Sequence, residues 1–439
     1  MAMGLKKPFI LLTALVVSSL VLLASPFPLS GRVYLDIDSP HVKRLPIVIP
    51  DLKNKGTLEP SLGAQMAVLL GKDLDFTGYF QLIDSKGFLG RPEEQEVVDF
   101  KAWSLTGADL LVKGGYRLEG GQVLLELRLY DLLQGRQLLG KEYTTSLRDY
   151  KKAIHRFADE ILFLLTGEHG LFQTRIAFIS TGSGRKEIYS ADFDGSNFQR
   201  LTQHNSISLS PRWSPRGHEI AYTSYKDGTP ALYLLQLPDL HSSRISNRPG
   251  VNITPAWYPD GESLALALNH NGNSEILQIT RSGTTVQRLT QSWGIDVSPA
   301  WSPDGKYLAF VSNRSGNPHI YVLTVGTKEV RRLTFQGNYN VAPVWSPKGN
   351  WIAYAGKVGG NFQIFVMPPS GGEAQQVTSS GNNESPDFSP DGRMILFSSN
   401  RQGKSAIYVM NANGTNQRRL TFMNGEQSSP SWCPKKFDD

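Results

Sequence analysis

VSPAWSPDGKYLAFVS, residues Val297 to Ser312, is the stretch that decides the fold. Variants of it recur down the chain. The aromatic residue ahead of the Ser-Pro turn, or of its variants, falls at Trp213, Trp257, Trp301, Trp345, Phe388 and Trp432, at intervals of 44, 44, 44, 43 and 44 residues. An apolar run follows each turn, here Leu308-Ala309-Phe310. A second run, Ile320-Tyr321, and a third ending in Leu333-Thr334 keep the same phase in the other periods. Proline presets φ near about −65° and glycine accepts positive φ, so Ser-Pro-Asp-Gly reverses the chain. Four short strands per period, here named A to D, match the blade of a β-propeller.

The ends of the repeat array count the blades. The first B-C-D set, Arg175 to Thr202, has no strand A before it, and the last strand A, Ser429 to Trp432, has no B-C-D set after it. The two fragments complete one blade. The expected fold is an all-β six-bladed propeller over 175–434, closed by the C-terminal strand, which removes the free sheet edges. A small α/β (α+β) domain over 31–170 precedes it. There, helices are expected over Ser61–Thr77 and Leu147–Leu165, and strands over Tyr79–Ile83, Ala108–Tyr116, Gln122–Leu132 and Gln137–Thr145. The sheet is expected to be mostly antiparallel, and Glu119-Gly120-Gly121 reads as a hairpin.

The N-terminus points to export. Lys6-Lys7 precedes Phe9 to Ala24, a 16-residue run without charge, which Pro26 and Pro28 interrupt. A spanning helix needs about 20 apolar residues, so residues 1–30 read as a signal peptide cut between Ala24 and Gly31, leaving no membrane span. The net charge of +6 is diffuse and contains no long basic run, which argues against nucleic acid as a partner. The one cysteine, Cys433, permits no intrachain disulfide.

Catalytic patterns are missing from the sequence. It has no Gly-x-Ser-x-Gly elbow and no phosphate-binding glycine loop. The eight histidines are scattered, so no metal or cofactor is expected. Asp192-Phe193-Asp194-Gly195 resembles the start of a calcium loop but reads better as a C–D turn. The informative positions lie in the D–A loops at one channel mouth. Three residues before each strand-A proline stand Ser208, Asn252, Asp296, Asn340, Asn383 (or Glu384) and Gln427, and Trp293 and Tyr339 share these loops. As a ring they suggest a partner-binding face. Singly, they read equally well as caps of the strand ends.

Three segments carry a family resemblance: RVYLDIDSP (Arg32–Pro40), LVKGGYRLEGGQVLLELRLYDLLQGRQL (Leu111–Leu138) and HRFADEILFLLTGEHGLFQTRIAFIS (His155–Ser180), the last leading into the first blade. With the signal peptide and the WSPDG propeller, the chain resembles the TolB family of the Tol-Pal system. The resemblance implies a non-enzymatic periplasmic protein of Gram-negative cells that serves outer-membrane integrity and constriction at division. It implies docking of the lipoprotein Pal at the propeller mouth and contacts with other outer-membrane proteins. It also implies engagement of TolA through Arg32, Val33, Tyr34, Leu35, Asp36, Ile37 and Asp38. One departure is Phe388, whose period is a residue short, a gap expected to distort the ring locally. Other propeller roles stay open on the repeat alone: a peptidase accessory, a lyase or lactonase, or a cell-wall carbohydrate binder.

Overall fold

A computed structural model describes residues 44–56, 61–84, 97–270 and 272–434. The expected signal peptide, the segment Arg32–Asp38 and the far C-terminus lie outside the described residues.

The first element group is an α/β unit. Strands β1 (Leu45–Val48), β2 (Lys53–Asn54) and β3 (Phe80–Ile83) combine with β4 (Leu110–Glu119), β5 (Gln122–Asp131) and β6 (Arg136–Ser146). The sheet order is β3-β1-β4-β5-β6, with β2 on the edge of β4. Only β4-β5-β6 is antiparallel; β1 lies parallel to both β3 and β4, and β2 is parallel to β4. The long strands β4, β5 and β6 thus meet the expectation of a mostly antiparallel sheet, and the parallel entry of the short strands β1, β2 and β3 was not expected. Helix α1 (Leu62–Phe76) carries the chain back across the sheet between β1 and β3, and such a crossover returns the next strand parallel. A short helix, α2 (Phe100–Ser104), was not expected. Its signal is Asp99, whose carboxylate accepts from the Ala102 amide.

Helix α3 (Tyr150–Thr166) buries Ile154, Phe157, Ala158, Ile161, Leu162 and Leu165, the stripe that its spacing foretold. It stops at Gly167, whose φ of 73° places it in the left-handed region that a Cβ disfavours.

From Arg175 onward the chain builds six four-stranded sheets. Their inner strands, each a strand A, are β10 (Ser208–Trp213), β14 (Asn252–Trp257), β18 (Asp296–Trp301), β22 (Asn340–Trp345), β26 (Asn383–Phe388) and β30 (Gln427–Trp432). The last joins β7 (Arg175–Ser180), β8 (Glu187–Asp192) and β9 (Gln199–Arg200), so the blade stitched from both ends forms as counted. The fold class is thus a six-bladed propeller preceded by an α/β region.

The core lies between blades. One cluster takes Ala256, Ala265, Ile276 and Leu289 from one blade and Trp301, Leu308, Phe310 and Tyr321 from the next. Trp301 is a wedge that ties its blade to its neighbour, with the edge of Tyr258 against it at 4.9 Å. This explains why a large aromatic repeats there. Phe388 fills the equivalent place and is buried. Its strand has the usual six residues, because the missing residue comes out of the loop between Thr378 and Asn383. The ring is not distorted at that strand.

The turn that follows is fixed by its own side chains. The Ser302 hydroxyl donates to Asp304 at 2.6 Å, and Asp304 accepts from the Lys306 amide. The Tyr307 amide donates to Ser302 Oγ, and Gly305 adopts φ 69°. Ahead of the aromatic, strand A bulges. Ser210, Thr254, Ser298, Ala342, Ser385 and Ser429 take φ between 49° and 55°, each just before the proline. The ladder slips a register at each of these points. Proline has no N–H for the ladder, and a bulge is where that is tolerated.

Candidate functional site: the D–A face

Strands alternate in direction, so the D–A and B–C loops share one face of the ring and the A–B and C–D turns share the other. The α/β region packs on the second face. Phe193, in the C–D turn after β8, is buried with its ring centroid 5.0 Å from Phe76, 5.3 Å from Phe172 and 5.7 Å from His155. The Asp192-Phe193-Asp194-Gly195 segment is therefore a turn that anchors this joint. Lys348 pairs with Glu168 at 2.8 Å, and Arg418 donates to the Phe76 carbonyl while stacking 3.9 Å over its ring. Burial pushes the Arg418 pKa down to about 10. Beneath Phe193, His155 Nδ1 meets Asp73 Oδ2 at 2.7 Å. Burial pushes the Asp73 carboxyl up to about 6 against the opposing effect of His155. Burial also opposes charge on His155, but the carboxylates around it, Asp73 first and then Asp194 and Asp192, together outweigh burial and hold its pKa above the ordinary imidazole value.

The first face carries the residues singled out from sequence, and it divides them into two groups. Ser208, Asn252, Asp296, Asn340, Asn383 and Gln427 are the first residues of the six inner strands, and every one is buried. They do not project into the mouth as binding groups. The Ser208 hydroxyl has no hydrogen-bond partner among the described residues, and the other five side chains brace the loops from inside. Asn252 accepts from Ser246 Oγ and from the Arg248 amide, and donates to the Arg248 carbonyl. Asn340 donates to the Gln336 carbonyl and contacts His319 Nδ1 at 3.1 Å. Asn383 donates to Gln363 and to the Ser380 carbonyl. Gln427 donates to the Gly425 carbonyl and accepts from Thr421 Oγ1. Asp296 accepts both of its close bonds, 2.8 and 3.0 Å, from Arg314. For these side chains the capping alternative is the observed one.

The recurrent Leu-Thr acquires a role in the same network. The hydroxyls of Thr202, Thr290, Thr334, Thr378 and Thr421 accept from the backbone amides of Ile188, Ile276, Ile320, Ile364 and Ile407 in strand C. A threonine at that phase satisfies an amide that the short strand D leaves unpaired.

The second group stays outside. Trp293 is 76% exposed and Tyr339 42%, and Glu384 is half-buried. The face holds further aromatics that the sequence reading missed, namely Phe335 at 72% and Phe422 at 77%. Arg332 lies 5.1 Å over Phe335, and Arg419 lies 5.0 Å over Phe422. Their signal was the tetrapeptide Arg-Leu-Thr-Phe, present in only two of the six periods. With Ile207 and Ile295, also exposed, they form an interrupted arc of apolar side chains around the mouth. Isolated exposed apolar residues are ordinary, and Phe198, Tyr307 and Trp351 are such on the other side, but several large ones gathered in the loops of one face mark an interaction surface.

Inside the channel, Arg212 and Asp387 face each other at 3.7 Å, and Asp387 accepts from the Trp432 amide. Burial raises the Asp387 pKa. These contacts hold the ring-closing strand β30 between its neighbours. Among the described residues no group of three or more His, Cys, Asp or Glu is placed to hold a metal ion, and no helix is long and apolar enough to cross a membrane.

Comparison with known proteins agrees with this architecture. The model of the TolB beta propeller domain matches residues 163–436, and that of the TolB amino-terminal domain matches residues 33–138. The Tol-Pal system protein TolB of Desulfosudis oleivorans is 44% identical over 198 residues, 44% of this chain and 45% of that protein. Its namesake in Geobacter sulfurreducens is 42% identical over 197 residues, again 44% and 45%. In each alignment the chain spans about half the length of the curated relative. The crystal structure of TolB from Acinetobacter baumannii superposes with a TM-score of 0.80 at 28% identity, covering 90% of this chain and 97% of that one.

Proposed function

The chain belongs to the TolB family of the Tol-Pal system, and from that premise we propose that it is a non-enzymatic periplasmic adaptor whose D–A face docks the lipoprotein Pal. The observation that carries this reading is the arc Trp293, Phe335, Tyr339 and Phe422, exposed on the face that the α/β region leaves uncovered. Exposed aromatics beside polar groups supply large contact area with little entropy to lose, the usual makeup of a binding hot spot. The buried residues Asn252, Asp296, Asn340, Asn383 and Gln427 serve this face by holding its loops in shape, Ser208 is buried at the equivalent strand start, and Glu384 is half-buried beside Asn383.

The adaptor's second contact is TolA, through the segment Arg32–Asp38, whose alternation of apolar and polar residues suits pairing with a sheet edge. Together the two contacts support outer-membrane integrity and constriction at division. Binding of the full-length mature chain to Pal and to TolA tests both. Replacing Trp293, Phe335 and Tyr339 by alanine should weaken Pal at least about tenfold, the loss of one modest hot spot, and leave TolA unchanged. Removing residues 32–38 should do the reverse. Pal affinity unmoved by the triple replacement would refute the docking face.

A further inference from the structure

The two faces of the ring differ in charge. The loops on the D–A side, including the B–C loops, hold seven lysines and arginines against two carboxylates, Asp227 and Glu426. The turns on the opposite side hold six against seven. The D–A side therefore carries the positive excess, and little of it is neutralised within the protein. Asp227 is taken by Arg244. Arg314 is matched by Asp296, but Arg248 and Arg401 donate only to neutral acceptors. Lys186, Lys357 and Lys404 are exposed, and among the described residues none of them has a carboxylate within ion-pair distance.

The charge is interleaved with the aromatic arc. Lys357, at the end of its strand, lines a notch of about 350 Å³ together with Tyr339, Asn317, Asn338 and the Gly359-Gly360 turn. The notch sets a cation beside an exposed aromatic ring and amide donors, which suits an incoming carboxylate.

Resting on the docking reading above, we infer that the surface received by this face is acidic: an apolar projection meets the aromatic arc, and carboxylates around it face the lysine and arginine rim, one of them seated in the notch at Lys357. Such an arrangement sets partner choice and speeds encounter more than it deepens affinity. Lysines spaced around a mouth raise the encounter rate by about ten- to a thousand-fold at low salt, and the gain disappears as salt screens it.

The experiment measures association and dissociation rates of the full-length mature protein with Pal from the same cell, held in non-ionic detergent, at about 20 mM and about 500 mM salt. For the native protein the association rate should fall at least about tenfold across that range. The combined Lys186→Glu, Lys357→Glu and Lys404→Glu variant should associate about tenfold more slowly at low salt and lose most of the salt dependence, with its dissociation rate nearly unchanged. All three side chains are exposed, so the fold tolerates the exchange. A native rate indifferent to salt, or a variant as fast as native at low salt, overturns the acidic-partner inference while leaving the docking reading intact. No association by the native protein overturns the docking reading, and the inference falls with it.

Discussion

Replacing Asp296 by alanine separates a structural loop anchor from a binding residue. Asp296 opens strand β18, is fully buried, and holds Arg314 through both carboxylate oxygens at 2.8 and 3.0 Å. Arg314 in turn lies over Phe310 and Tyr321, at 5.2 and 5.1 Å from their centroids. Removing one partner of a buried ion pair costs about 3–5 kcal/mol, because the other charge stays desolvated. Here the guanidinium keeps Ser312 Oγ as an acceptor at 2.9 Å and is partly exposed, which argues for the low end, about 3 kcal/mol. At about 2 °C or more per kcal/mol, the melting temperature should drop by at least about 5 °C. Differential scanning calorimetry reads the shift, and Pal binding measured well below the transition reads the interface. The expected pair of results is a clear loss of stability with a small loss of affinity. An unchanged melting temperature together with a tenfold or greater loss of Pal affinity would show that Asp296 acts at the interface, and the burial argument would be wrong.

Other perturbations test the joints of the molecule. Trp432→Ala removes a buried ring that closes the propeller and the bond from its indole N–H to Thr174 Oγ1 at 2.8 Å. A loss of about 4 kcal/mol is expected, as for other buried tryptophans, and a variant within about 1 kcal/mol of native would deny β30 its closing role. Phe193→Ala empties the seat formed by Phe76, Phe172 and His155, and should split unfolding into separate calorimetric transitions for the α/β region and the ring. One unsplit transition at the native temperature counts against that joint. The Asp73–His155 pair gives a pH signature. Both groups have folded pKa values above their ordinary ones, so each binds its proton more tightly when folded. Their contribution is greatest in acid, and it declines as pH rises through about 6 for Asp73 and then through the raised value of His155. Relative to native, Asp73→Asn should flatten the fall in melting temperature between about pH 5 and about pH 8, because it removes the raised carboxyl together with the partner that holds the His155 pKa up. An identical pH profile in the two proteins would exclude the pair as its source.

The fold was legible because the repeat over-determines it. Aromatic, turn and threonine keep one phase through the array, and each has a structural role of its own. Trp301 wedges adjacent blades, Ser302 and Asp304 lock the reversal, and Thr334 satisfies an amide of strand C. Ring closure was legible for the same reason, since one unmatched strand A and one unmatched B-C-D set have only each other to pair with. The parallel entry of β1 was not legible. Leu45–Val48 is a short apolar run whose partners are set by the crossover of α1, and periodicity within a strand carries no information about direction. Helix α2 spans five residues, too few to show a period.

The site was half legible, for a reason rooted in the repeat itself. A position occupied by a polar residue in all six periods is one the blade needs six times, and a need that recurs six times is local closure of a loop. That is what Asn252, Asn340, Asn383 and Gln427 do. A partner without sixfold symmetry meets the ring at positions where the periods differ. Trp293 stands where the other loops have small or polar residues, Phe335 and Phe422 appear in two periods only, and Lys357 ends a strand B whereas Lys404 lies in a B–C loop. The periodic residues build the platform, and the departures from the period give one of its faces an orientation that a single partner can read.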